Sequence, residues 1–306
     1  MSGRDTALSN LGASVRQRLL NQSREQGRPF QELLQYFAME RFLYRLSKSP
    51  CSDRFVLKGA LLLTAWRAPL SRPTMDIDLA GRTNNELNHI AELVRSVCGV
   101  VTESDGIEFN AASIEVSRIK EDADYEGVRV RFHATLSRAR IPMQIDIGFG
   151  DVITPAPTEI QYPTLLDFPA PVLQAYPRET VIAEKLEALT KLGLLNSRMK
   201  DYYDLALLSR MYSFKGERLI EAIIATFHHR GTRIEAEPAG LTQAYYEDPA
   251  RALQWRAFIR RNRFTEQPDD LKQLVVEVSR FASPLLSAAA GEEPLTVHWP
   301  AGGPWG

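Results

Sequence analysis

The stretch Ser71-Arg72-Pro73-Thr74-Met75-Asp76-Ile77-Asp78-Leu79 constrains the fold more than any other part of the chain. From Thr74 to Leu79 the residues alternate, with Met75, Ile77 and Leu79 on one face and Thr74, Asp76 and Asp78 on the other. Such alternation predicts a short half-buried strand. It would set two carboxylates side by side, roughly 6–7 Å apart at their Cα atoms. Mg²⁺ fits between them, because it takes hard oxygen ligands and joins one or two carboxylates to substrate phosphates. The same pattern also fits a plain strand with a charged solvent face.

The residues around this stretch predict a mixed α/β lobe. Ahead of it, residues 10 to 48 carry two apolar helical stripes separated by Gly27-Arg28-Pro29, and Ser47 to Asp53 reads as a loop. Phe55-Val56-Leu57-Lys58-Gly59-Ala60 then leads into the apolar run Leu61 to Trp66. Gly59 would let the backbone approach a ligand closely, and a helix starting there would offer free N–H groups to a phosphate. Taken alone, the stretch fits a plain turn before a core helix better. After the two aspartates, Asn84 to Cys98 reads as an amphipathic helix. Residues 113 to 149 read as strands, with Tyr125-Glu126-Gly127 as a turn. In the last strand, Ile141 to Phe149, Gln144 and Asp146 share a face. A third strand carboxylate in one lobe is what a metal-dependent phosphoryl or nucleotidyl transfer centre requires.

Proline recurs at 155, 157, 163, 169, 171 and 177, which predicts a connection between two lobes. The expected division is 1–170 and 171–306, with a wholly helical second lobe. On its first helix Val181, Ile182, Leu186, Leu189 and Leu192 fill one apolar arc, while Glu184, Glu187, Thr190 and Lys191 lie opposite. Lys185 falls inside the apolar arc. Burying its ammonium without a partner is costly, so it needs a carboxylate or a phosphate unless it snorkels past the core edge. Asp201 and Asp204 follow at i and i+3 near the start of the next helix, where the helix dipole favours them and where they can pair with Lys185.

The chain has 306 residues and a net charge of −1, so any nucleic-acid surface must be local. Such a patch is offered by Arg251, Arg256, Arg260, Arg261 and Arg263, interleaved with Trp255, Phe258 and Phe264. That pattern suits an RNA acceptor stem, an acidic protein partner, or simply a surface helix with core aromatics. Two cysteines without metal-ligand spacing suit a reducing compartment. With no apolar leader and no long apolar run, a cytoplasmic protein with no membrane association is expected.

Phe55 to Ala60, Arg72 to Leu79, Ile145-Asp146-Ile147-Gly148-Phe149-Gly150, Ala183 to Leu189 and Arg198 to Leu205 follow one another in an order and spacing that resemble the AbiEii/AbiGii (MenT-like) nucleotidyltransferase toxins. The resemblance covers about residues 10 to 215. Ala60 departs from it, standing where the family usually has a second glycine. The resemblance implies an α+β, bilobed fold: a DNA polymerase β-like nucleotidyltransferase core with N-terminal helices and a helical C-terminal lobe. It implies a toxin with a cognate antitoxin, transferring NMP from an NTP, a pyrimidine NTP in expectation, to the 3′ acceptor end of tRNA; a monomer is expected. Carried over by position, Asp76, Asp78 and Asp146 would hold Mg²⁺ (or Mn²⁺), with Thr74 lining the pocket. Lys58 and Gly59 would lie near the nucleotide, and Lys185 would hold the triphosphate with Asp201 or Asp204 positioning it. Beyond the stretch that carries the resemblance, Arg256, Arg260, Arg261 and Arg263 of the basic patch would contact the RNA such an activity needs. NMP transfer to a protein or small hydroxyl compound, or non-catalytic binding of RNA or antitoxin, remain as alternatives.

Overall fold

Gly27, with φ of +64°, ends helix α1 (Gly3–Gln26), and Pro29 precedes helix α2 (Phe30–Lys48). A left-handed turn costs glycine little, and proline is pre-set for the start of a helix. The structure is a computed structural model describing residues 3–68, 73–122, 125–262, 264, 270–291 and 297–306. Along α2 every residue from Leu33 to Leu46 is buried. An amphipathic surface helix buries one stripe, whereas a helix enclosed all round must find internal partners for its polar residues. Arg45 grips Asp105 through two bonds of 2.8 and 3.0 Å. Glu40 pairs with Arg41 at 2.9 Å and accepts the Leu165 N–H, while Arg41 donates to the Pro169 carbonyl. Around it, Phe42, Phe109 and Phe132 pack edge-on or tilted. Phe42 and Phe132, both fully buried, contribute about 1.5–3 kcal/mol each.

The chain continues through β1 (Phe55–Lys58), α3 (Leu61–Ala65), β2 (Ile77–Gly81) and α4 (Leu87–Cys98). A meander follows, made of β3 (Ile107–Asp122), β4 (Tyr125–Leu136) and β5 (Ala139–Phe149), and then β6 (Thr158–Gln161) and β7 (Val172–Ala175). These form one mixed sheet of order β3-β4-β5-β2-β1-β7-β6. The pairs β2–β5 and β1–β7 are parallel and the others antiparallel. The mixed α/β class expected from the sequence is what the structure shows.

Three local expectations are corrected. The strand expected from Thr74 begins only at Ile77, and Met75 is exposed rather than on the buried face. The Thr74 N–H donates to the Tyr36 hydroxyl and the Met75 carbonyl accepts from Gln35, so these backbone groups are tied to α2 instead of to a strand. Tyr125 to Gly127, expected as a turn, pair within the ladder of β3 and β4. The proline-rich stretch expected as a bare connection holds β6 and β7, its prolines falling before, between and after the two strands. Proline lacks the ladder donor, so it flanks strands more readily than it enters them. Ser71 and Arg72 lie outside the described residues.

The chain divides into two compact units, the first made of Met1–Arg67, Pro73–Asp151 and Thr158–Ala175, the second chiefly of Tyr176–Gly306 with Val152–Pro157. The second contains α5 (Arg178–Leu192), α6 (Met199–Met211), β8 (Phe214–Lys215), α7 (Gly216–His229), α8 (Gln243–Tyr246), α9 (Pro249–Asn262), α10 (Leu271–Ala289) and β9 (His298–Trp299). The unit is not wholly helical as expected: the short strands β8 and β9 pair with each other. Its core is set by α10, where Leu274, Val275, Val278, Phe281, Ala282 and Leu285 are fully buried. Glu187, expected on the polar side of α5, is also fully buried, where Arg230 pairs with it at 2.9 Å and the Thr232 hydroxyl donates to it. A partner donated by a distant segment turned a surface position into an interior one. Among the described residues no helix is long and apolar enough to cross a membrane.

Burial pushes the Glu40 carboxyl up to about 7 from 4.5, against the downward pull of Arg41. A carboxyl that holds its proton more tightly when folded adds stability below its unfolded pKa, and that contribution fades as pH rises through 7. Glu40→Gln should therefore gain stability relative to wild type as pH rises from 4.5 to 7, by on the order of 1–3 kcal/mol, and level off above. Urea denaturation of both proteins across that range checks this; a constant difference would contradict it.

Candidate active site

Strand β2 lies between β1 and β5, and its two registers set the site. On one side Lys58 is paired opposite Asp78; on the other Asp78 lies beside Asp146. One strand further, Arg129 of β4 is opposite Asp146. Residues paired across neighbouring strands point to the same face. One transverse row therefore reads lysine, aspartate, aspartate, arginine. Asp76, at the bend before β2, completes a cluster in which one carboxylate oxygen from each of Asp76, Asp78 and Asp146 lies within 4.8 Å of the others.

Like charges this close repel, so a cluster kept ionised needs positive charge against it. Arg129 supplies some: its Nε and Nη2 donate to the two oxygens of Asp146 at 2.7 and 2.6 Å. The hydrogen bonds with Asp146 hold the guanidinium above its ordinary range, opposed by desolvation and helped by the charges of Asp146, Asp76 and Asp78. At the other end of the row Lys58 is buried and pairs with Asp151 at 2.9 Å. The donor set consists of hard carboxylate oxygens, with no histidine or cysteine in the cluster, and this is the chemistry that suits Mg²⁺ or Mn²⁺.

Asp76 is held from behind. The Thr74 hydroxyl donates to its Oδ1, and Thr74 and Met75 are in turn tied to the adjacent α2 residues Tyr36 and Gln35. Asp78 is placed by a different contact. Gly59 has a φ of +74°, and a Cβ there would stand 1.9 Å from Asp78 Oδ2. The close approach anticipated at Gly59 is thus made, within the protein, by the carboxylate beside it. Ala60 has right-handed φ and ψ of −70° and −24°, so its backbone does not require a second glycine. Helix α3 spans only five residues.

In the second unit Lys185 meets both of its anticipated partners. Asp201 and Asp204 reach its Nζ from one face of α6, each at 2.8 Å, and the lysine side chain is only 15% exposed. The lysine in the apolar arc is therefore explained by two carboxylates of the next helix. On α9, Arg256, Arg260 and Arg261 are exposed, while Trp255, Phe258 and Phe264 pack against one another and Tyr203. Trp255 is fully buried, while Phe258 and Phe264, the latter just beyond α9, are half-buried. Arg263 lies outside the described residues.

Sequence reasoning passed over Arg129, Asp151, Gln35 and Tyr36. Arg129 had a usable signal, because the alternation of β4 puts it on one face with Arg131 and His133. Gln35 had a weaker one, as a polar residue inside the run Leu33 to Phe37. For Asp151 and Tyr36 the local sequence offers none.

A family model described as "Nucleotidyl transferase AbiEii toxin, Type IV TA system" matches residues 41–277. No curated protein matches the chain. Among solved structures, the chain is distantly similar to JHP933 from Helicobacter pylori, with 16% identity and a TM-score of 0.48 over 86% of this chain and 93% of that one. A candidate nucleotidyltransferase from H. pylori gives 15% identity and a TM-score of 0.45 over 86% and 96%.

Gly59→Ala tests the packing that places Asp78. The added methyl group must displace that carboxylate, and the left-handed backbone adds a strain of about 1–2 kcal/mol. Mn²⁺ titration should show affinity lowered by about tenfold or more while thermal unfolding stays cooperative. Unchanged affinity would show that Asp78 does not need this position.

Proposed function

We propose, on the premise that this chain belongs to the AbiEii nucleotidyl transferase toxin family of type IV toxin–antitoxin systems, that it transfers NMP from an NTP to the 3′ acceptor end of tRNA. The observation that carries this reading is the cluster of Asp76, Asp78 and Asp146, three carboxylates from two neighbouring strands and the bend before one of them. Those residues would hold Mg²⁺ or Mn²⁺, which when bound neutralises charge developing on the phosphoryl oxygens. In the transfer, the acceptor hydroxyl oxygen forms a bond to the α-phosphorus and the bond from that phosphorus to the bridging oxygen breaks. Pyrophosphate leaves, and the hydroxyl proton passes to a carboxylate oxygen of the cluster.

The protein's own groups have separate tasks in this reading. Thr74 keeps Asp76 oriented, Gly59 leaves room for Asp78, and Arg129 fixes the carboxylate of Asp146 through two hydrogen bonds. Lys58 supplies positive charge beside the nucleotide. Lys185 supplies charge for the triphosphate, with Asp201 and Asp204 restricting its position. Arg256, Arg260, Arg261 and Arg263 add RNA contacts. A pyrimidine NTP is the preferred donor. NMP added to the acceptor end blocks aminoacylation and hence translation, which is what the cognate antitoxin of such a system prevents.

The test incubates the protein with Mg²⁺, total tRNA and each α-³²P-labelled NTP separately, followed by a denaturing gel. Labelled tRNA is expected with CTP or UTP. Asp76→Ala, Asp78→Ala and Lys185→Ala should each lower the rate by about 100-fold or more. Label carried only by purine NTPs would overturn the donor preference, and label on no tRNA would overturn the acceptor.

A further inference from the structure

The polar face of the β3–β5 meander changes character along its length. On β4 the residues Val128, Val130, Phe132 and Ala134 are buried, and Arg129, Arg131 and His133 alternate with them. On β5 the corresponding series is Asp146, Gln144, Pro142 and Arg140. Moving from Asp146 toward Arg140, a path of about 20 Å at the rise of a strand, the face passes from the carboxylate cluster to exposed arginines. Arg131 donates to Gln144 at 3.2 Å, and Arg140 lies 3.2 Å from His133 Nδ1.

Between these ends lies a hollow of ≈ 330 Å³ lined in part by Gln35, Met75, Asp76, Glu115, Arg131 and Gln144. It shares Asp76 with the carboxylate cluster. Met75 exposes 49% of its surface, and a thioether is a soft, polarizable surface for an aromatic ring. Gln35 is 1% exposed; its Nε2 donates to the Met75 and Pro142 carbonyls, which fixes the orientation of the amide. Its Oε1 is then buried without a hydrogen-bond partner among the described residues.

We propose that this hollow is the acceptor subsite, and that it takes the 3′-terminal nucleoside of an RNA strand whose preceding phosphates run over Arg131 and Arg140. The proposal rests on the transferase reading and specifies where its acceptor binds. The hollow is on the β5 side of β2, whereas Lys58 and Gly59 are on the β1 side. It does not suit the triphosphate, because Asp76 and Glu115 face it along with Arg131. A base bearing an amino group suits it, with the exposed Glu115 carboxylate as hydrogen-bond acceptor. The exposed arginines further along favour a polynucleotide end over a small hydroxyl compound, since they would meet a chain of phosphates.

The test is equilibrium binding of a short fluorescent single-stranded RNA with a free 3′-hydroxyl, read by anisotropy in Mg²⁺ without NTP. Arg131→Glu should weaken binding by about tenfold, and Arg131→Glu with Arg140→Glu by more. Arg95→Glu, an exposed control on α4, should leave it unchanged. Binding of a fluorescent NTP should be the same in all of these proteins. The proposal is overturned if wild type does not bind the RNA, if the meander variants bind it as well as wild type, or if they lose NTP affinity instead. Should wild type label no RNA yet lose RNA binding on Arg131→Glu, the transfer reading fails while the RNA site stands. Where labelling occurs, the variants should raise the acceptor KM and leave the NTP KM and kcat near wild type.

Discussion

The parallel register between β2 and β5 is the constraint on which the site depends. It places Asp78 beside Asp146, and the flanking antiparallel registers place Lys58 and Arg129 at the two ends of the same row. Side chains alternate between faces along a strand, so a slip of one residue would send Asp78 to the other face and bring Ile77 or Leu79 into its place. The opposite faces of β4 and β5 resist that slip. Ile77 and Leu79, buried against the apolar face that Val130, Ile145 and Ile147 share, would have to leave it while Asp78 entered it. Core packing and site geometry are thus one requirement.

Helix α2 secures the elements around that sheet. Its buried polar residues reach backbone groups of segments distant in sequence: Gln35 reaches Met75 and Pro142, Glu40 reaches Leu165, and Arg41 reaches Pro169. Such groups are expensive to enclose unless their partners are supplied, and here Met75, Leu165 and Pro169 lie outside strands while Pro142, within β5, has a carbonyl free to accept. Met75 leads into the bend that carries Asp76. The segment that carries a carboxylate outside a strand is thereby anchored to a helix, as a centre whose ligands must converge requires.

The electrostatics of the first unit follow from the same placement. Three carboxylates with oxygens within 4.8 Å make a strongly negative point, and Arg129 offsets only part of it. The donor chemistry fits a hard divalent cation, and the family of the chain is one of nucleotidyl transferases. The second unit solves the opposite problem. A lysine in an apolar arc is stabilised by two aspartates one helical turn apart.

Local sequence established which faces are polar and which groups could not be left alone. The alternation around Asp78 and Asp146, the need of Lys185 for a carboxylate, and the helix break at Gly27 to Pro29 are all short-range properties, written in periodicity and composition. Periodicity assigns a residue to a face but does not say which residue lies beside it, because strand order and register arise from pairings between distant segments. For that reason the tertiary structure alone decided that Asp146 joins Asp76 and Asp78, that Arg129 grips Asp146, and that Asp78 packs where Gly59 has no side chain. It also decided that Met75 faces outward, that the proline-rich stretch contributes β6 and β7, and that Glu187 is interior because Arg230 comes from another helix end to meet it. Each of these depends on a partner far away in the chain, and no local pattern records such a partner.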